Sequence, residues 1–301
     1  TDSYVSAPLA LGAEGTIPDG QDDRPAAAVL VVASPKGNLL ENEITEIVRW
    51  MKASGRILFL LDPEASDGPR DLLKNWGITV GQESVVDLGR SVHQAPRVPL
   101  LQRNQYGNTT PITNELDVSF FPNAAPVSLP LEFLKDPRLQ PPWISYHPLA
   151  ASTAASFATA DPKRNEFDVN EDLRGPHILA MAVQACSTVE EETKEILIAT
   201  GSGSRCLSEE GERPPTSIVI IGDSDFANNR NFYAYTNADL LLNSVNWLAE
   251  DFDLISIRPK PLVFRELVLT TGEFNFIRYS SWFLLPAAVA LGGLAAWWRR
   301  R

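Results

Sequence analysis

The stretch AAAVLVVASPKGNLLENEITEIVRWMKASGRILFLLDP, residues 26–63, decides the fold class. It opens on a continuous apolar run, 26–35, that ends in Pro35 and reads as a buried strand. In the next segment Ile44, Ile47, Val48 and Met51 recur at helical spacing. Acids stand early in that segment and Lys52 late, as the helix dipole favours. Gly55 is the expected C-cap, and RILFLLDP (56–63) is a second buried strand. Strand, helix, strand in this order is a βαβ unit and implies a parallel sheet.

Working outward, GPRDLLKNWGITV (68–80) continues the pattern as a short helix, a stop at Gly77 and a strand running on towards ESVVD. Residues 88–145 lose the alternation and read as irregular loops and short strands, and 150–175 reads as a polar loop. GPHILAMAVQAC (175–186) is strand-like, and a polar Gly/Ser-bearing insertion (187–215) follows it. TSIVIIGDSD (216–225) is again a buried strand, and NADLLLNSVNWLAED (237–251) is an amphipathic helix with Leu240, Leu241, Val245 and Leu248 on one face. LISIRPKPLVFRELVLTT (254–271) predicts one or two strands. Residues 1–25 are rich in Gly, Asp, Pro and Ala without apolar periodicity, a linker or the end of a preceding domain. The chain opens on Thr rather than Met, which suggests a fragment or processed form of a longer precursor.

One segment takes the protein out of the soluble class. Residues 279–298, YSSWFLLPAAVALGGLAAWW, carry no charge. Twenty helical residues span about 30 Å, the thickness of a bilayer's hydrocarbon core. Trp282, Trp297 and Trp298 stand where an aromatic belt forms, and Arg299, Arg300 and Arg301 follow directly. The basic cluster places residues 299–301 in the cytoplasm and 26–278 outside as an extracytoplasmic domain. The net charge is −12 over 301 residues, and three more negative without the terminal arginines. That balance excludes nucleic acid, whose phosphates need a basic face. It also sets the domain against an anionic lipid surface. Disulfides are permitted outside the cytoplasm. The two cysteines, Cys186 and Cys206, predict one, the alternative being two unrelated buried thiols.

IVIIGDSDFANN (218–229) raises the question of an active site. A buried strand ending in Gly222, Asp223, Ser224 and Asp225 is a common place for catalysis. A serine hydrolase needs a base beside its nucleophile, yet His93, His147 and His177 all precede Ser224, against the order of the Gly-Asp-Ser hydrolases. An Asp-x-Asp phosphatase holding Mg²⁺ on Asp223 and Asp225 needs a second acidic pair; Glu250–Asp251 is better explained as solvated charge at a helix end. The structural alternative makes Asp223, Ser224 and Asp225 turn and capping residues, continued by Asn228 and Asn229. Asp62 ends its strand in the same way, so these residues would face one crevice and could line a ligand site. The histidines lack metal-ligand spacing, so neither a metal nor a cofactor is expected.

Taken in order, VLVVASPKGNLLENEITEIVRWMKASGRILFLLDP, LLKNWGITV, RGPHILAMAVQ, IVIIGDSDFANN, NADLLLNSVNWLAED, ISIRPK and the terminal apolar helix resemble the C-terminal half of the Gld-G-type proteins. These are auxiliary membrane components of uncharacterised ABC transport systems, first named for bacterial gliding motility. The resemblance covers residues 26–301. It implies a flavodoxin-like or glutamine-amidotransferase-like α/β fold, a further N-terminal membrane helix, and ABC permease and ATPase partners at the bacterial inner membrane. It leaves open whether the transported substrate is a small molecule or a polymer. The amidotransferase elbow carries a Cys nucleophile. Here the elbow is Asp62-Pro63, so a non-enzymatic, substrate-binding or scaffolding role is expected. Residues 187–214 are longer than the hairpin usual in that family.

Overall fold

The strand–helix–strand order of the 26–63 stretch forms as expected, but only its second strand is buried: the first, Leu30–Ala33, lies at the sheet edge with Val31 and Ala33 exposed. In the computed structural model, which describes residues 4–12, 15–20, 25–191, 193–200, 203–250 and 269–300, β1 (Leu30–Ala33) and β2 (Arg56–Leu60) pair in parallel across helix α1 (Glu41–Lys52). Glu41 and Glu43 lie in the first turn of α1 and Arg49 and Lys52 in the last. The C-cap is Ala53, and it is Ser54 (φ 65°) that takes the left-handed position expected of Gly55. Gly55 is needed for space instead: a Cβ there would lie 2.6 Å from Trp50.

Helix α2 (Asp67–Lys74) stops at Gly77, whose φ of 69° suits glycine, and leads to β3 (Thr79–Val80) and β4 (Ser84–Asp87). The next region holds β5 (Ser91–Val92), β6 (Ala95–Gln102), β7 (Val118–Phe120), β8 (Val127–Ser128) and the single-turn helix α3 (Leu131–Lys135). Then come β9 (Ile144–Ala151), β10 (Ser156–Thr159), β11 (Leu173–Arg174) and β12 (Ile178–Ala185). The insertion forms its own sheet of β13 (Ile196–Thr200), β14 (Gly203–Ser208) and β15 (Gly211–Arg213). β16 (Thr216–Ile221) and helix α4 (Asn237–Leu248) complete the domain.

The main sheet runs β1-β2-β16-β12-β8-β3, with β9 also on β12. Only β1, β2 and β16 are parallel; β12, β9, β8 and β3 pair antiparallel. The sheet is therefore mixed, a correction to the all-parallel expectation. Parallel neighbours need a crossover long enough to return the chain, usually a helix. α1 supplies one, but from 88 to 215 the longest α-helix among the described residues is the five-residue α3. Strands β10 and β11 likewise replace part of the loop expected over 150–175. The strands expected over 254–271 fall almost wholly outside the described residues.

Alternation along the central strands fills two cores. Ile57, Phe59, Ile218 and Ile220 face α1 and α2 through Ile47, Met51, Leu72 and Leu73. Leu58, Leu60, Val219 and Ile221 face α4 through Leu240, Trp247 and Leu248. Leu11 and Ile17 from the N-terminal segment join the first core, and the Ile17 N–H donates to Glu46 Oε1 at 2.9 Å.

Cys186 and Cys206 are joined as a disulfide that ties the end of β12 to β14. The closed loop spans a separation of 20 residues. Cross-linking a loop of that length contributes about 3 kcal/mol by restricting the unfolded chain. The Cys186→Ser/Cys206→Ser double variant should lose stability of that order in urea denaturation, with a steeper denaturant slope because the unlinked unfolded chain exposes more surface. An unchanged midpoint would show that the bond does not constrain the unfolded chain.

The chain ends in a continuous helix, α5 (Thr271–Tyr279), a π-turn (Ser280–Leu284) and α6 (Leu285–Arg299). Thr270 caps it reciprocally with Glu273: Oγ1 accepts the Glu273 N–H, and the Glu273 carboxylate accepts the Thr270 N–H at 2.9 Å. The helix thus starts eight residues before the apolar run. At 29 residues with a mean hydropathy of 1.4 in its most apolar window, none of it buried, it is long and apolar enough to cross a membrane.

Candidate functional site

Because β2 and β16 are parallel neighbours, their carboxyl ends emerge side by side, and the Leu61 N–H still reaches Ile221 O at 2.9 Å. Asp62 and Ser224 consequently meet. Asp62 Oδ1 accepts the Ser224 N–H at 2.6 Å and Oδ2 accepts its hydroxyl at 2.8 Å. Lys36, largely exposed, stands 3.6 Å from Oδ2. The Asp62 N–H donates to Ser34 Oγ at 3.3 Å, and Ser34 itself, just past β1, has φ 39°. Three parallel strand ends thus converge on one carboxylate.

Gly222 sets the geometry beneath. Its carbonyl accepts the Ala125 N–H at 2.6 Å and its N–H donates to Leu179 O at 2.8 Å, and a Cβ would fall 2.0 Å from Ala125 O. Asp223 is wholly buried; Oδ1 accepts the Asp225 N–H at 2.8 Å, while Oδ2 has no hydrogen-bond partner. Burial first, then the charges of Asp62 and Asp225, pushes its carboxyl well above the ordinary carboxylate value. Asp225 is exposed and opens a 3₁₀ turn. Asn228 closes that turn: its Oδ1 accepts from the N–H groups of Arg230 and Asn231, at 3.0 Å each, and its Nδ2 reaches Asp225 Oδ1 at 3.3 Å.

The structure therefore brings Asp62 and Ser224 into contact, puts Asp223 underneath and leaves Asp225 and Asn228 on the rim. Chemically, the arrangement is spent on holding a turn. The Ser224 hydroxyl donates to a carboxylate rather than to an imidazole. Two of the three imidazoles are engaged elsewhere, His93 stacking on Phe274 and His177 Nε2 lying 3.0 Å from Leu173 O, and the third, His147, stands on β9. Arg70, in α2, is a residue that the strand-and-motif reading passes over. It is buried and donates to the carbonyls of Asp62 at 2.8 Å, Pro63 at 2.9 Å and Ala65, and so shapes the elbow that presents Asp62. Desolvation lowers its pKa, opposed by surrounding carboxylates.

Cys186 and Cys206 lie at the opposite end of the sheet, beside a cavity of about 310 Å³ walled by Lys52, Trp76, Glu191, Glu195, Arg213 and Thr216. Its charges are already paired, Lys52 with Glu191 at 2.6 Å and Arg213 with Glu195 at 2.5 Å. Cys186, Glu195 and Cys206 lie close enough together to hold a metal ion, but the two sulfurs are bonded to each other.

These features define a mixed α/β domain with a turn-lined crevice at its parallel strand ends, joined to an exposed apolar helix. The chain belongs to the family described as ABC-type uncharacterized transport system, whose model matches residues 3–244, and the family's name marks its members as auxiliary components of such systems. No curated protein matches it. Among solved structures, the mmIFT52 N-terminal domain is similar at 12% identity and a TM-score of 0.46, over 74% of this chain and 77% of that one. A putative thua-like protein from Bacteroides uniformis is similar at 13% identity and a TM-score of 0.34, over 73% and 69%.

Proposed function

We propose that the protein is a membrane-anchored, extracytoplasmic accessory subunit of an ABC transporter that works by binding rather than catalysis. The carrying observation is a family domain followed by a 29-residue helix whose most apolar window is not buried against the domain. An apolar surface of that length in water demands cover, and a bilayer supplies it. The arginines at its end orient residues 299–301 to the cytoplasm, and residues 26–278 form the outer domain, periplasmic at a bacterial inner membrane. The Cys186–Cys206 disulfide fits that compartment. The segment before residue 26, expected as a linker, instead packs Leu11 and Ile17 into the domain's first core and is proposed as part of that domain. The three parallel strands support a flavodoxin-like or amidotransferase-like ancestry, and the ordered motifs support the Gld-G type among the auxiliary families.

A membrane hydrolase working through Asp223, Ser224 and Asp225 has less support, because Asp223 is buried and accepts the Asp225 N–H, the Ser224 hydroxyl donates to Asp62 rather than to a base, and Asp225 accepts Asn228 Nδ2 in the turn. The proposed partners are a permease and an ATPase. Affinity-tagged protein extracted in mild detergent should bring down both, identified by mass spectrometry. The chain should also resist alkaline carbonate extraction. Release by carbonate, or purification without any ABC subunit, would overturn the assignment.

A further inference from the structure

The crevice and the membrane helix share one end of the domain. Val92, at the end of β5, forms an isolated antiparallel bridge with Thr270. The His93 N–H donates to Leu269 O at 2.5 Å, and the His93 ring stacks on Phe274 with centroids 4.1 Å apart and planes 14° from parallel. Gln94, with φ 59°, turns the chain back into β6. The β5–β6 hairpin thus grips the residues on either side of the point where the terminal helix begins.

Two routes join that grip to the crevice. From Ser224 the rim loop runs to Ala234 and Tyr235, which pack with Val92 and Phe120; the Phe120 and Tyr235 rings meet edge to face at 6.4 Å. From Asp62 the next step is Glu64, whose carboxylate accepts Asn123 Nδ2 at 3.0 Å, and the Asn123 N–H donates to Arg97 O on β6 at 2.9 Å. The disulfide and the polar cavity occupy the far end, beside Thr216 at the start of β16.

We infer that the β5–β6 hairpin is a clasp that seats the domain on its own membrane helix. The crevice rim at Glu64, Asp225 and Asn229 is thereby a membrane-proximal docking surface for an extracytoplasmic loop of a membrane-embedded transport subunit. Glu64 and Asp225 are exposed acids, so the loop that fits carries Lys or Arg, whose charge steers and registers the contact. The inference rests on the membrane-anchored reading.

The test uses the full-length chain in native membranes. Directly opposed antiparallel residues have Cα atoms about 4.5–5.5 Å apart, within disulfide reach. The Val92→Cys/Thr270→Cys pair should therefore close under mild oxidation, and neither single variant should form an internal bridge. A photo-cross-linking residue at Asn229 should capture an ABC permease, identified by mass spectrometry; the same residue at Glu210, on the β14–β15 turn of the disulfide-closed end, should not. Failure of the cysteine pair to close overturns the clasp. Closure without permease capture at position 229, or equal capture at 229 and 210, overturns the docking surface. Carbonate-released protein overturns the anchored reading itself, and this placement with it.

Discussion

Gly222→Ala should prevent the domain from reaching its native stability. The added Cβ would sit 2.0 Å from Ala125 O, against backbone that is itself fixed by the Ala125 N–H to Gly222 O bond of 2.6 Å. A flexible side chain could move aside; a carbonyl inside a hydrogen-bonded backbone pair cannot. Relief requires separating the two segments, which forfeits that bond and loosens the packing of Phe226 on Phe121. Overpacking a tight interior costs about 1–3 kcal/mol, and a buried backbone group left without its partner adds about 1–3 kcal/mol. Together these predict a loss of about 2–6 kcal/mol, a fall in Tm on the order of 10 °C at this size. Gly37→Ala is the control: nothing lies within 4 Å of a Cβ there, so its change should stay within about 0.5 kcal/mol. Matching melting curves for the two variants would show that Gly222 is not there for space. The Gly in GDSD would then need a reason tied to a ligand.

Legibility tracked burial. The runs at 56–63 and 216–221 are apolar because β2 and β16 lie inside the sheet and are covered on both faces, and such strands read as unbroken hydrophobic stretches. The run at 26–35 misleads, because β1 is an edge strand with Val31 and Ala33 exposed. α1 and α4 were legible through their 3.6-residue period. β9 was not. It carries Ser145, Tyr146, His147 and Pro148 in one eight-residue strand, and proline argues against a ladder position. The strand is tolerated because, among the described residues, it pairs in a ladder only with β12 and on its other side makes a single bridge, from Ala150 to Tyr106. At the site, the adjacency of Asp62 and Ser224 follows from two strands ending in parallel, so it could be anticipated once both were recognised. Arg70 could not. An Arg in the first turns of a surface helix is ordinarily solvated, and the carbonyls that receive it converge only after the 62–66 elbow has folded. Asp223 was equally opaque: in sequence it is one of three similar turn residues, whereas in the fold it alone is wholly buried.

That burial gives Asp223 a distinctive pH signature. Its folded pKa lies well above the ordinary value of 3.8, so between the two values the folded state holds a proton that the unfolded state has lost. Stability then falls as pH rises through that window, by about 1.4 kcal/mol per pH unit for a single group. Asp223→Asn removes the titration while keeping an oxygen for the Asp225 N–H. The variant should match wild type near pH 4 and become progressively more stable than it towards neutrality, in urea denaturation series run at each pH. Asp223→Ala loses the turn bond as well and should cost about 0.5–2 kcal/mol near pH 4, in the range of a lost cap. Asp225→Ala, at an exposed carboxylate, should change little. The opposite pattern, Asp223→Asn less stable than wild type at neutral pH, would mean that the buried carboxylate is ionised and compensated by a bound cation. Micromolar Mg²⁺ or Ca²⁺ binding by wild type, lost in both the Asp223→Ala and Asp225→Ala variants without a change in melting, would establish that directly. The turn would then be a ligand site rather than a structural closure of the crevice.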